Sequence, residues 1–182
     1  MKEQGTELVD DCDDDLHGTR SMAFSPETLK EHRSFKRSVW KQIRNAPLLV
    51  VLSGPLVYAC LIPFLLLDLS ATIYHSVCFP IYGIPKVHRG DFLIFDRGRL
   101  AYLNALEKVG CIYCSYANGL LAYVAEIAAR TEQYFCPIRH SRLVPRPHSR
   151  YSHFLQYGDA RKYRERSETI ARSFGDVAAR GR

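Results

Sequence analysis

Apolar positions along this chain follow two rhythms. From Ala46 to Leu67 they run on without a charge, "APLLVVLSGPLVYACLIPFLLL". At 1.5 Å rise per residue a helix of this stretch is about 33 Å long, enough to cross a hydrocarbon layer of about 30 Å. A chain of 182 residues can hardly wrap such a helix on all sides, so the pattern predicts a membrane anchor. A long polar stretch precedes it, which does not fit a cleavable signal peptide. Lys and Arg stay absent as far as Pro85, with Asp68 and His75 the ionisable groups of note. The later part, "LSATIYHSVCFPIYGIP", is marginal as a second span. The anchor, residues 46–85, is therefore either a short hairpin turning near Asp68 or one long helix kinked at its prolines. Lys36, Arg37, Lys41 and Arg44 before it, and Lys86, Arg89, Arg97 and Arg99 after it, put basic flanks at both ends. Basic flanks stay cytoplasmic, which favours the hairpin. "LLLDLS" offers no Gly, Pro or Asn for a sharp turn, which counts against it.

Elsewhere the apolar positions recur every three to four residues, the helical period. Ser25-Pro26-Glu27 reads as a helix start, with Ser25 as N-cap and Pro26 at the first position. A basic amphipathic helix is expected over 27–45, with Phe35, Val39 and Ile43 on one face and Trp40 at headgroup level. "DFLIFD" is a short extended piece with no partner for a sheet. Leu100, Leu103 and Leu106 predict a helix from about Arg99 that stops at Gly110, after Lys108. Leu120, Val124, Ile127 and Ala128 predict another from about Ser115 to Phe135, weakest at Asn118-Gly119. Glu126 and Arg130 are spaced to pair on its surface. A last polar helix is expected over roughly 159–171. The fold class is all-α: an integral membrane anchor followed by a small helical domain over 86–145.

Charge adds two ends of opposite sign. Residues 1–26 open with "MKEQGTELVDDCDDD" and are expected to be a disordered acidic tail. Residues 146–182 are expected to be a basic helical tail, part of a crowd comprising Arg139, Arg142, Arg146, Arg150, Arg161, Lys162, Arg164 and Arg166. On a soluble protein such a crowd suggests nucleic acid. Beside an anchor, anionic lipid headgroups are the expected partner, at about 1 kcal/mol per basic residue near the surface, and no nucleic acid is expected.

The candidate chemistry lies in "CIYCSYANGLLAYVAEIAARTEQYFCPIRH", residues 111–140. Cys111 and Cys114 form Cys-x-x-Cys; Cys136 and His140 form Cys-x-x-x-His. Together they make a Cys3His set suited to zinc. An unbroken helix between the pairs would be about 30 Å long, whereas ligands at about 2.0–2.3 Å from one ion lie within a few ångströms of each other. A shared site then needs a fold-back near Asn118-Gly119 or Thr131, or two chains paired antiparallel as a homodimer. If the pairs are independent, Cys111 and Cys114 could instead run thiol–disulfide exchange. Only Lys108 adds a nearby positive charge, and no thioredoxin-like βαβ pattern surrounds the pair. Cys60 and Cys78 read as packing residues, and Cys12 sits among aspartates. No phosphate loop, nucleophile elbow or catalytic triad spacing is present, so no catalytic residue is assigned and a role other than an enzyme is expected.

"CIYCSYANGL", then "EIAARTEQYFCPIRH", with "FPIYGIPKV" upstream, resembles a family of small bacterial membrane proteins over roughly residues 45–160. The resemblance implies a bacterial inner (cell) membrane location and brings no activity or cofactor with it. The resulting expectation is a membrane-anchored scaffold or interaction protein with a structural zinc site and a cytoplasmic helical domain; a membrane-tethered thiol redox protein is the alternative.

Overall fold

The computed structural model describes residues 25–180, with side chains as far as Val177. The expected acidic tail over 1–26 lies almost wholly outside the described residues. The fold is all-α, and its local rules are visible at each helix end.

Helix α1, Pro26–Ser34, starts as expected: the Ser25 hydroxyl accepts a hydrogen bond from the Thr28 amide at 3.2 Å, and Pro26 takes the first turn. It does not continue to residue 45. The chain leaves the helix at Phe35 and re-enters at α2, Val39–Asn45. One continuous helix would stack Arg33, Arg37 and Lys41 at i,i+4, and like charges at that spacing oppose helix. Ala46 is extended ahead of Pro47, as the proline ring requires.

Helices α3, Leu48–Ala59, and α4, Leu61–Tyr82, then follow as one rod through Cys60. Pro63 has no N–H for the Ala59 carbonyl, and the Cys60 amide turns to Val57 at 3.3 Å instead, which loosens the joint. The expected hairpin at Asp68 is not formed: Asp68 lies inside α4, and the long-helix alternative is the one observed. The rod ends at Gly83, whose φ of +67° only glycine adopts freely. There the Ile84 amide reaches back to Phe79 at 2.9 Å and the Gly83 amide to Pro80 at 3.3 Å, the paired bonds of a Schellman stop.

Residues 83–104 return along the rod through short 3-10 turns at Arg89–Asp91 and Asp96–Arg99. This return makes the next helix parallel to α4. Helix α5, Ala105–Phe135, is 31 residues long. Asn104 accepts from the Glu107 amide at 3.0 Å while the Glu107 carboxylate accepts from the Asn104 amide at 2.9 Å, a reciprocal cap. The helix expected from Arg99 thus begins at Ala105, and it runs through Gly110 instead of stopping there. Gly inside a helix costs about 1 kcal/mol, which the buried face of a long helix outweighs.

Leu120, Tyr123 and Ile127 of α5 pack with Ala71 and Phe79 of α4, closed by Ile84, Val87 and Phe174, and the His75 ring meets those of Phe79 and Tyr123. Gly119 lets the return segment sit on the helix: a Cβ there would lie 2.6 Å from the Phe92 carbonyl oxygen. Beyond α5 a single parallel bridge joins Ile138 to Leu155. Helix α6, Ala160–Ala171, is capped by Asp159 close to the expected limits, and α7, Gly175–Arg180, ends the described chain. The C-terminal segment is tied down. Arg150, only 3% exposed, bonds to Gln133 of α5 at 2.5 Å and to Asp176 of α7 at 2.5 Å. Gln133, in turn, donates to the carbonyls of Ile170 and Ser173.

Candidate functional site

Cys111 and Cys114 sit one turn apart within α5; Cys136 caps its far end, and His140 lies in the loop beyond. The helix between Cys114 and Cys136 is unbroken, which separates them by about 33 Å. A single chain therefore does not bring the Cys3His set to one ion. Neither fold-back that a shared site within one chain would need occurs: Gly119 is a packing contact, and Thr131 is held in the helix by its bond to the Ile127 carbonyl at 2.8 Å. Among the described residues no three His, Cys, Asp or Glu side chains gather as metal ligands. His140 stacks on Tyr151, whose hydroxyl accepts from the His140 amide at 3.0 Å. Of the routes to a shared zinc ion, the pairing of two chains is the one the helix leaves open.

The redox alternative needs thiols near a helix start. Cys111 lies almost two turns past the start of α5, whose first amides are already engaged by the Asn104 cap, and the helix dipole acts mainly within the first turn. Neighbouring side chains there are aromatic: Tyr113 donates to the Val57 carbonyl at 3.0 Å and meets the rings of Tyr58 and Phe64.

A polar network that the sequence pattern only hinted at joins α4 to α5. Arg89 forks onto Asp68 through two bonds of 2.5 and 2.6 Å. Tyr116 of α5 donates to the same carboxylate at 2.9 Å and Thr72 adds a contact at 3.3 Å. The Arg89 guanidinium also lies over the Tyr123 ring, 5.7 Å from its centroid. The Tyr123 hydroxyl meets His75 Nδ1 at 3.2 Å, and His75 Nε2 accepts from the Val87 amide at 2.9 Å. In a neutral ring that acceptor role puts the hydrogen on Nδ1. The hydrogen-bonded Asp68 carboxylate makes the Arg89 guanidinium hold its proton more firmly than usual, and burial pushes the phenols of Tyr116 and Tyr123 up. These partners satisfy one another, so the network fastens α4, the return segment and α5 without presenting a reactive group. Glu126 and Arg130 do pair, at 2.9 Å, but Arg130 is buried and also bonds to the Pro85 and Lys86 carbonyls at 2.9 and 3.0 Å. It is a second fastener rather than a surface pair.

The remaining large feature is apolar and outward. Residues Leu48–Tyr82 form a helix long and apolar enough to cross a membrane. Its surface includes Leu48 and Leu56, each 73% exposed, and Ile81, 71% exposed. At its start a groove of about 690 Å³ is lined by Lys36, Arg37, Ser38, Lys41, Gln42, Asn45 and Ala46. The Gln42 side-chain oxygen accepts from the Asn104 side-chain amide at 2.6 Å. None of the three cations has an acidic partner among the described residues.

No protein family, curated protein or solved structure matches the chain.

Proposed function

We propose that this is a membrane-anchored scaffold or interaction protein: α3 and the outer face of α4 sit in lipid and carry a stiff helical body, α5 with the C-terminal segment, at the membrane surface. One observation carries this reading. Large apolar side chains recur on the outer surface from Leu48 to Ile81, many of them more than half exposed among the described residues. At roughly 1 kcal/mol for each half-exposed Leu, Ile or Val, covering them is worth on the order of 15 kcal/mol. That rivals the net stability of a whole domain, about 5–15 kcal/mol, so lipid is the covering that fits a stretch with no polar rim.

Basic flanks on both sides of the apolar block, together with the motif resemblance, support the inner membrane of a bacterium with the helical body on the cytoplasmic side. Structural zinc enters this reading only between two chains, Cys111 and Cys114 of one meeting Cys136 and His140 of the other.

Fractionation tests the anchor: the full chain should stay with membranes through alkaline carbonate and need detergent for release. Recovery as a monodisperse soluble protein without detergent overturns it. Metal analysis tests the zinc proposal separately. Zinc should copurify with a dimer, and both zinc and dimer should be lost on Cys114→Ser or His140→Ala.

A further inference from the structure

We infer that the rod lies within one leaflet of the bilayer and does not cross it, so that α1, α2 and the helical body face water on the same side. The inference rests on the anchor reading and adds its geometry.

Length is the first ground. Leu48–Tyr82 is 35 residues, a contour of about 52 Å against a hydrocarbon layer of about 30 Å. Covering all of it in a crossing requires a tilt of about 55°, beyond the 0–40° seen for spanning helices. The stripe gives no place to stop short. Ile62, Leu65, Leu66, Leu69, Ile73, Val77 and Ile81 are 53–71% exposed and continue past Asp68 to the end of α4. If only 48–67 crossed, Leu69 to Ile81 would be left in water.

The second ground is what lies beside the rod. Tyr113 is bonded to Val57, and Asn104 to Gln42, so the first part of α5 runs alongside α3. The return segment reaches Asn104 along α5, through the turn Asp96–Arg99. A crossing by 48–67 would put Val57 near the bilayer centre and take Asp96, Arg97 and Arg99 through the layer. Each such charge costs about 2.5–3.5 kcal/mol at the centre, and these three have no ion pair among the described residues.

One-leaflet immersion removes both conflicts. A helix about 10–12 Å across fits within the roughly 15 Å of hydrocarbon in one leaflet. Helix α3 has no buried residue and is apolar on every side, as full immersion requires. Helix α4 is apolar outward and carries the Asp68–Arg89 and His75–Tyr123 bonds inward, toward the helical body. The cations around the groove at Lys36, Arg37 and Lys41 then lie at headgroup depth.

The test uses the full chain, tagged at both ends, in sealed membrane vesicles of defined orientation treated with trypsin from outside. Both tags should be lost together in one orientation and protected together in the other. Opposite behaviour of the two tags overturns the inference. Depth is read in reconstituted vesicles with nitroxide-bearing acyl chains, using a fluorophore at Leu52→Cys, Ile73→Cys or Ile81→Cys in a background where the native cysteines are serine. Ile73 and Ile81 should be quenched as strongly as Leu52; quenching at Leu52 alone overturns the inference. A chain that never sediments with membranes refutes the anchor itself, whereas a sedimenting chain with tags on opposite sides refutes only the one-leaflet geometry.

Discussion

Gly119 and Gly110 lie on the same helix, yet the same substitution should stabilise at Gly110 and not at Gly119. An alanine at Gly110 meets no atom within 4 Å. It should stabilise by about 1 kcal/mol, the difference in helix propensity. At Gly119 the new methyl carbon would lie 2.6 Å from the Phe92 carbonyl oxygen and 3.2 Å from Leu93 Cα. Those atoms are backbone, so no side-chain rotation relieves the overlap. Forcing the return segment off the helix costs about 1–3 kcal/mol, as other overpacked contacts do. The propensity gain is common to both, so the gap between Gly110→Ala and Gly119→Ala measures the overlap itself. For a domain of this size 1 kcal/mol moves the midpoint by about 2–4 °C, so the two variants should differ by roughly 2–12 °C. Circular dichroism at 222 nm, on both variants and the parent in the same detergent, reads this directly. A Gly119→Ala protein that melts with or above Gly110→Ala would refute the claim that this glycine is there to admit Phe92.

Three further outcomes follow from the fasteners and the basic groove. Asp68→Ala and Arg89→Ala should each destabilise, and the double variant by less than their sum, with a coupling of about 1–2 kcal/mol in a denaturation cycle; strict additivity would show the pair to be idle. Lys36→Gln, Arg37→Gln and Lys41→Gln combined should weaken binding to anionic vesicles by about 3 kcal/mol, roughly 100-fold, and leave binding to zwitterionic vesicles unchanged; equal loss on both would deny a headgroup role. The Arg150 guanidinium holds the Asp176 carboxyl below its ordinary 3.8. The stabilisation is therefore present above that value and is lost as pH falls through the lower folded-state one. Amide protection of 175–177, corrected for intrinsic exchange, should hold from pH 7 to 5 and fall below about 3.8, and Asp176→Asn should abolish this pH dependence.

Which features were legible in the sequence follows from how local their causes are. Ser25-Pro26, the end of α5 at Phe135 and the capped start near Asp159 are set by a few neighbouring residues, and each was found where the pattern put it. The start of α5 was equally local, in Asn104 and Glu107, but the apolar spacing of Leu100, Leu103 and Leu106 pointed upstream and Gly110 mimicked a stop. A lone carboxylate in an apolar run is costly, so the pattern offers Asp68 as a candidate turn. Its partner, Arg89, lies 21 residues away and reaches it only because the chain doubles back after Gly83. Arg150 looked like surface charge for the same reason: its partners, Gln133 and Asp176, lie on different helices.

The zinc motif shows the limit from the other direction. Spacing within each pair suited a metal, but spacing between the pairs is decided by whether α5 bends, and nothing along it does. Asn118 settles its side chain on the Cys114 carbonyl at 2.9 Å, one turn back, and so adds no break. Gly119, next to it, is covered by the Phe92 carbonyl and the Leu93 backbone. The residue that looks most like a hinge is therefore where the return segment clamps the helix, and it is the unbroken helix that keeps Cys114 and Cys136 apart. If Gly119→Ala loosens that clamp, the two ends of α5 remain on one continuous helix, because alanine strengthens it. In the variant as in the parent, the length of α5 keeps Cys111 and Cys114 from meeting Cys136 and His140 of the same chain, so those four residues can close on one ion only between two copies.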